Sequence, residues 1–118
     1  MSIRNVLIVG GGFTGLTAAI ALAQRGVGRI TLVDRAQAWA RVGHGLTIQG
    51  NALRVFKELG VIDEVLAVGQ AENAVTLFFA DGRVMAEIPT PRTGGDYLPA
   101  TIGALRPDLH EILVARAE

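Results

Sequence analysis

Two short apolar runs near the start of the chain, Asn5–Val9 and residues 30–33, show no polar alternation, the pattern of strands covered on both faces in a parallel sheet. Between them, residues 14–25 carry Leu16, Ala18, Ala19, Ile20, Leu22 and Ala23 nearly all round the helical circumference, which predicts a helix buried between layers. Over residues 51–59 the apolar face narrows: Ala52, Val55, Phe56 and Leu59 share one stripe, with Gly60 as a stop. Ile62, Val65 and Leu66 open a second short helix. The period then changes to two. Asp81-Gly82 between alternating runs predicts a type I′ hairpin pairing Phe79 with Val84, Leu77 with Ala86 and Val75 with Ile88 on one face. Thr76, Phe78, Met85 and Glu87 fall on the other. Residues 89–101, punctuated by Pro89, Pro91, Gly94, Gly95 and Pro99, read as a loop. Pro107 and Asp108 suit the first turn of a last helix.

The first strand runs directly into Gly10-Gly11-Gly12-Phe13-Thr14-Gly15, a G-x-G-x-x-G turn at the head of a predicted helix. Its glycines have separate tasks: Gly10 permits the tight turn, Gly12 lets backbone approach a pyrophosphate, and Gly15 lets the helix sit close to the strand. Ala19 and Gly26 extend the pattern by keeping the helix against the sheet and then releasing the chain. Asp34, at the end of the second strand, stands where a carboxylate accepts hydrogen bonds from an adenosine ribose. Strand, turn, helix, strand and acid arrive in order within the ~30 residues of a βαβ unit, and the segment therefore reads as a nucleotide phosphate cradle.

Half of the 118 residues are hydrophobic and formal net charge is zero, which argues against nucleic acid as a partner. The charge is unevenly spread. Residues 1–57 hold seven basic and one acidic side chain, and residues 58–118 hold four basic and ten acidic, so the glycine turn lies in the electropositive half. The sequence has no cysteine, which excludes disulfides and thiolate metal sites and is compatible with a reducing compartment. Arg4, the apolar residues 6–23 and Ala21-Leu22-Ala23 imitate a secretory signal, but three successive glycines would break a signal helix in its middle. The same glycines rule out a membrane span over that run, so a cytoplasmic protein without stable membrane insertion is expected.

Taken together the motifs resemble the N-terminal region of FAD-dependent aromatic hydroxylases and related monooxygenases, the group with the para-hydroxybenzoate hydroxylase fold. Residues 6–16 match the flavin-type G-G-G-x-x-G-L opening, and Leu32-Val33-Asp34-Arg35 matches its strand ending in an acid followed by a base. Arg41-x-Gly43-x-Gly45 is similar to the Arg-x-Gly-Ala-Gly stretch, with Asn51-Ala52-Leu53 and Leu59-Gly60 following, and Arg106-x-x-Leu109-x-x-x-Leu113 is similar to the helix start that contacts the flavin. The resemblance implies an α/β fold, with a Rossmann-like FAD-binding βαβ unit of the glutathione-reductase or para-hydroxybenzoate hydroxylase type and a β-hairpin from the start of a substrate domain. It divides the chain into residues 1–70 (FAD-binding unit and following helices), 71–101 (hairpin and loop) and 102–118 (return helix).

The same resemblance implies an oxidoreductase, a flavoprotein monooxygenase in which FAD does the oxygen chemistry after reduction by NADH or NADPH. Gly10, Gly12, Phe13, Thr14 and Gly15 would hold the FAD pyrophosphate, Asp34 the ribose hydroxyls, Arg35 the adenosine side, and Arg41, Gly45 and Arg106 the phosphates or ribityl chain. No catalytic residue is assigned and no metal is expected. His44 stands where the family usually has alanine; contact with the flavin, gating of its movement, a covalent link and a loop histidine satisfied by backbone all stay open. Trp39 and Tyr97 could line a pocket or cover a core edge, and His110 reads as an ordinary surface residue. Two readings compete: another FAD enzyme such as a halogenase, reductase or amine oxidase, and a non-catalytic module retaining the fold. Two parallel strands do not complete a doubly wound sheet, so the chain reads as the N-terminal part of a larger protein. Alone it is expected to be marginally stable and prone to self-association.

Overall fold

The computed structural model describes residues 3–39 and 43–118. In chain order the elements are β1 (Asn5–Val9), α1 (Phe13–Gln24), β2 (Arg29–Val33), β3 (Gly45–Gln49), α2 (Gly50–Leu59), α3 (Ile62–Val68), β4 (Gln70–Glu72), β5 (Ala74–Phe78), β6 (Val84–Pro89), β7 (Thr101–Leu105) and α4 (Arg106–Ala117). They form two compact units, Met1–Gly43 with Arg106–Glu118 and His44–Leu105. Among the described residues no helix is long and apolar enough to cross a membrane.

In the first unit β1 and β2 pair in parallel, Val6 opposite Ile30 and Val9 opposite Val33, with α1 as the crossover between them. Apolar content alone does not make both faces of such a pair buried. Val6, Ile8, Ile30 and Leu32 are half-buried, whereas Leu7 and Val9 are 65% and 81% exposed. Within these residues one helical layer covers one face of the pair and the other is left exposed, as expected of two strands that do not complete a doubly wound sheet. For the same reason α1, though apolar nearly all round, buries a single stripe of Gly15, Leu16, Ala19 and Ile20. Against it packs α4, which buries Leu109 and Leu113. That helix starts at Arg106, so Pro107 and Asp108 stand in its first turn as the pattern requires.

The second unit has its own core. β7 runs between β3 and β4, antiparallel to both, with α2 and α3 packed beside this sheet. Ile48, Leu53, Phe56, Leu59, Val61, Val65 and Ile102 are buried, joined by Leu98 and Ala100 from the loop before β7. The stripe of α2 is therefore rotated from the one expected: Leu53 is fully buried and Val55 is exposed. Gly60 ends the helix in the left-handed conformation at φ 75°. Two of the three strands of this sheet escape a period-two reading, for separate reasons, whereas β3 alternates with Leu46 and Ile48 turned inward. β7 is buried through Thr101, Ile102 and Ala104 and so lacks alternation, and the three residues of β4 are all exposed.

The β5–β6 hairpin keeps two of its three expected pairs, Val75 with Ile88 and Leu77 with Ala86. Beyond them the register shifts, and Val84 faces Phe78 instead of Phe79. The turn explains the shift. A type I′ turn needs positive φ at both central residues, but among the described residues only glycines have positive φ, and here that is Gly82 at 87°. The amide of Gly82 donates to the Phe79 carbonyl at 2.9 Å and the amide of Phe79 to the Arg83 carbonyl at 2.8 Å. Asp81 does not take positive φ, and its carboxylate accepts from the Arg83 amide and, at 2.8 Å, from Arg83 Nε. The extra loop residue is absorbed as a bulge. Val75, Leu77, Phe78, Val84, Met85 and Ile88 are all exposed, so neither face of the hairpin is covered.

The rotated stripe of α2 gives a direct expectation. Leu53→Ala should lower unfolding stability by about 2–5 kcal/mol, whereas Val55→Ala should change it by less than about 0.5 kcal/mol. Urea unfolding of both variants checks this, and equal losses would put the core of the second unit elsewhere.

Candidate functional site

The glycine turn is assembled entirely within the first unit. Where β1 ends, Gly10 takes φ 108° and its amide donates to the Val33 carbonyl at 2.7 Å, tying the turn to the end of β2. A Cβ on Gly15 would strike the Gly10 carbonyl and come within 3.3 Å of the Ile8 side chain. Only glycine therefore allows α1 to start this close to β1, the role the motif assigns to it. Gly12 behaves in the opposite way: a Cβ there would meet nothing within 4 Å.

Gly12 is the N-cap of α1, with no side-chain cap and no acidic residue in the first turn. The orphan amides of the helix start and the positive end of its dipole are thus left without a protein anion. An open cavity of about 510 Å³ lies over them, lined by Val9, Gly10, Gly12, Phe13, Thr14 and Arg106 among others. The Arg106 guanidinium sits 5.2 Å from the centre of the Phe13 ring, an arrangement that supports the cation on an aromatic face. A second cavity, about 420 Å³, is lined by Val9, Gly10, Val33, Asp34 and Arg35. A larger apolar cavity of about 670 Å³ lies away from the turn, along α1, β2 and the end of α4. Its lining is mostly apolar but also includes Gln24, Arg116 and Glu118.

Asp34 has a local role before any ligand arrives. Its Oδ2 accepts from the Gly11 amide and its Oδ1 from the Ala36 amide, both at 2.7 Å. These two amides, Ala36 first, then the nearby Arg35 and His110, hold its carboxyl below the ordinary value of 3.8. A carboxylate has about four acceptor sites, so one amide on each oxygen leaves capacity for hydroxyl donors.

The expected site residues Gly10, Gly12, Phe13, Thr14, Gly15, Asp34, Arg35 and Arg106 all belong to the first unit. Gly45 opens β3 in the second unit, opposite Leu105. Arg41 lies outside the described residues. His44 is exposed, also in the second unit. Tyr97 is 95% exposed and so neither lines a pocket nor covers a core edge. Trp39, by contrast, lays its ring against Gly11, where a Cβ would collide with it.

His110 is the residue that sequence reasoning misjudged. It is half-buried, its Nε2 lies 2.7 Å from the Gly11 carbonyl oxygen, and its ring meets Trp39 edge-on at 5.0 Å and Phe13 at 6.2 Å. The signal was available in its spacing. Positions four apart share a helix face, and His110 follows Arg106, already placed at the site, by four.

A family model described as FAD binding domain matches residues 4–118. Aurachin C monooxygenase/isomerase of Stigmatella aurantiaca is 34% identical over 113 residues, covering 92% of this chain and 29% of that enzyme. The 3-amino-4-hydroxybenzoate 2-monooxygenase of Streptomyces cremeus is also 34% identical, covering 94% of this chain and 28% of that protein. Among solved structures, 2-methyl-3-hydroxypyridine-5-carboxylic acid oxygenase superposes with a TM-score of 0.80 at 31% identity, over 99% of this chain and 29% of that one. A flavin-dependent monooxygenase solved with FAD and substrate gives 0.72 at 26%, over 98% and 22%. The chain thus spans less than a third of the length of these relatives.

The Asp34 tie has a pH signature. A carboxyl whose folded-state pKa is lowered contributes stability that is complete above its unfolded value and is lost as pH falls through the folded value. The gap in unfolding midpoint between wild type and Asp34→Asn should be full at neutral pH and close below about pH 4. A gap that persists unchanged down to pH 2 would contradict the tie.

Proposed function

The chain belongs to the FAD-binding domain family, and from that membership we propose that residues 10–15 hold the pyrophosphate of FAD in a monooxygenase acting on a small aromatic or related organic molecule. The observation that carries this reading is the contrast between two glycines three residues apart. Gly15 is required by packing against Gly10, whereas no contact among the described residues requires Gly12, which borders the cavity at an uncapped helix start. Glycine at such a point keeps backbone accessible to a phosphate group.

Around that anchor the other groups divide the dinucleotide. The amides of the first turn of α1 would face the phosphates, and Arg106, with Arg41, would add guanidinium donors to the phosphates or ribityl chain. Asp34 would accept from the ribose hydroxyls with the lone pairs that Gly11 and Ala36 leave over, and Arg35 would lie beside the adenosine. Gly45 completes the proposed set. When bound, the flavin supplies the oxygen chemistry, with electrons from NADH or NADPH. The chain's own task is to bind and orient the cofactor. The names of the relatives, a hydroxybenzoate monooxygenase and a hydroxypyridine oxygenase, support the substrate class. The assignment of residues 71–101 to the start of a substrate domain is supported by the hairpin exposed on both faces. A cytoplasmic setting accords with the cysteine-free sequence.

Gly12 has φ −77° and ψ −174°, an extended conformation that valine adopts freely. Gly12→Val should therefore fold, at a cost of about 1 kcal/mol for placing valine at an N-cap, while losing FAD affinity by at least about a hundredfold. Asp34→Ala should weaken FAD by about ten- to a hundredfold through loss of a charged hydrogen bond. Flavin fluorescence titration measures both, and a folded Gly12→Val with unchanged affinity would overturn the reading.

A further inference from the structure

Gly11 is held at both ends of its backbone by side chains from distant parts of the chain. Its amide donates to Asp34 Oδ2, and its carbonyl receives His110 Nε2 from the first half of α4. The carbonyl can only accept, so Nε2 must carry the proton of the imidazole. We propose that His110 is a positioning residue for the FAD site, acting through Gly11 to fix the orientation of the Gly11–Gly12 peptide. This inference rests on the FAD reading above.

The mechanics follow from peptide geometry. No peptide bond among the described residues is cis, and in a trans peptide the C=O of one residue and the N–H of the next point in opposite directions. Drawing the Gly11 carbonyl towards α4 therefore turns the Gly12 amide away from α4. A glycine-rich turn has little steric resistance to a peptide flip, and the hydrogen bond supplies what a side chain at residues 10–12 would otherwise impose. Three contacts hold the imidazole itself: Trp39, which also covers Gly11, on its edge; Phe13 at 6.2 Å; and the α4 backbone, anchored on α1 through Leu109 and Leu113. Asp34 from the end of β2 thus holds the Gly10–Gly11 peptide and His110 from α4 the Gly11–Gly12 peptide, so both peptides flanking the Gly11 Cα are fixed, and a ligand that reads the Gly12 amide meets a donor already aimed.

The test uses the whole protein with FAD and with ADP, which lacks the isoalloxazine. His110→Phe keeps a ring against Trp39 without the donor, and His110→Gln keeps a side-chain N–H donor. If His110 positions the turn, His110→Phe should weaken FAD and ADP alike by about five- to tenfold, the worth of one hydrogen bond, and His110→Gln should restore most of that loss. Full affinity in a folded His110→Phe, or no rescue in a folded His110→Gln, would overturn the proposal. A second measurement needs neither ligand nor variant folding at position 110. The sequence has only two histidines, so imidazole ¹⁵N spectra of wild type and His44→Gln identify the His110 signals. The expected result is a proton on Nε2 in the ligand-free protein, and a neutral ring protonated on Nδ1 would refute the hydrogen bond. Absence of any FAD binding by wild type alongside an Nε2-protonated His110 would instead overturn the cofactor reading and, with it, the role given to that residue.

Discussion

The approach of Gly15 to the Gly10 carbonyl is the constraint on which the site depends. A methyl group at that point would push α1 off the end of β1, and the remaining features follow from the close seating it permits. The first-turn amides come to lie beside the turn, and Asp34 at the end of the neighbouring strand comes within hydrogen-bond reach of Gly11. Burial of Leu16, Ile20, Leu109 and Leu113 where α1 meets α4 then stabilises the arrangement. Each such side chain contributes on the order of 1.5–3 kcal/mol when fully removed from water. Because α4 is held in this way, Arg106 and His110, one turn apart on it, are both delivered to the glycine turn.

The electrostatics are equally local. The first turn of α1 has no acidic residue, Arg106 borders the cavity, and the Asp34 carboxylate is engaged by two amides. Under the proposed reading the helix start would take an anion and Asp34 would be left for hydroxyl groups, the division of labour that FAD, with free ribose hydroxyls, requires.

Much of the first unit was legible because its physics is local in sequence. An apolar strand, three glycines, an apolar helix and a terminal acid each have a recognisable spacing, and β1, α1 and β2 lie within two residues of their expected limits. The second unit was less legible. β7 pairs with strands far from it in sequence and is too buried to alternate, so residues 101–105 resembled a loop leading into a helix. The hairpin register failed by one residue because Asp81, whose side chain bonds to Arg83, does not take the positive φ that a type I′ turn needs. The spacing of His110 from Arg106 marked its helix face, but its partner was hidden. Its partner is a backbone carbonyl 99 residues away, and no residue type in the sequence marks a carbonyl as a partner.

The central claim, that the glycine turn is a dinucleotide pyrophosphate site, is tested most directly by competition at equilibrium. FAD bound to the protein should be displaced by ADP in a saturable, competitive manner, while FMN, which lacks the adenosine half and the pyrophosphate, should compete far more weakly. Displacement of FAD by FMN as readily as by ADP, or indifference of bound FAD to ADP, would contradict the account.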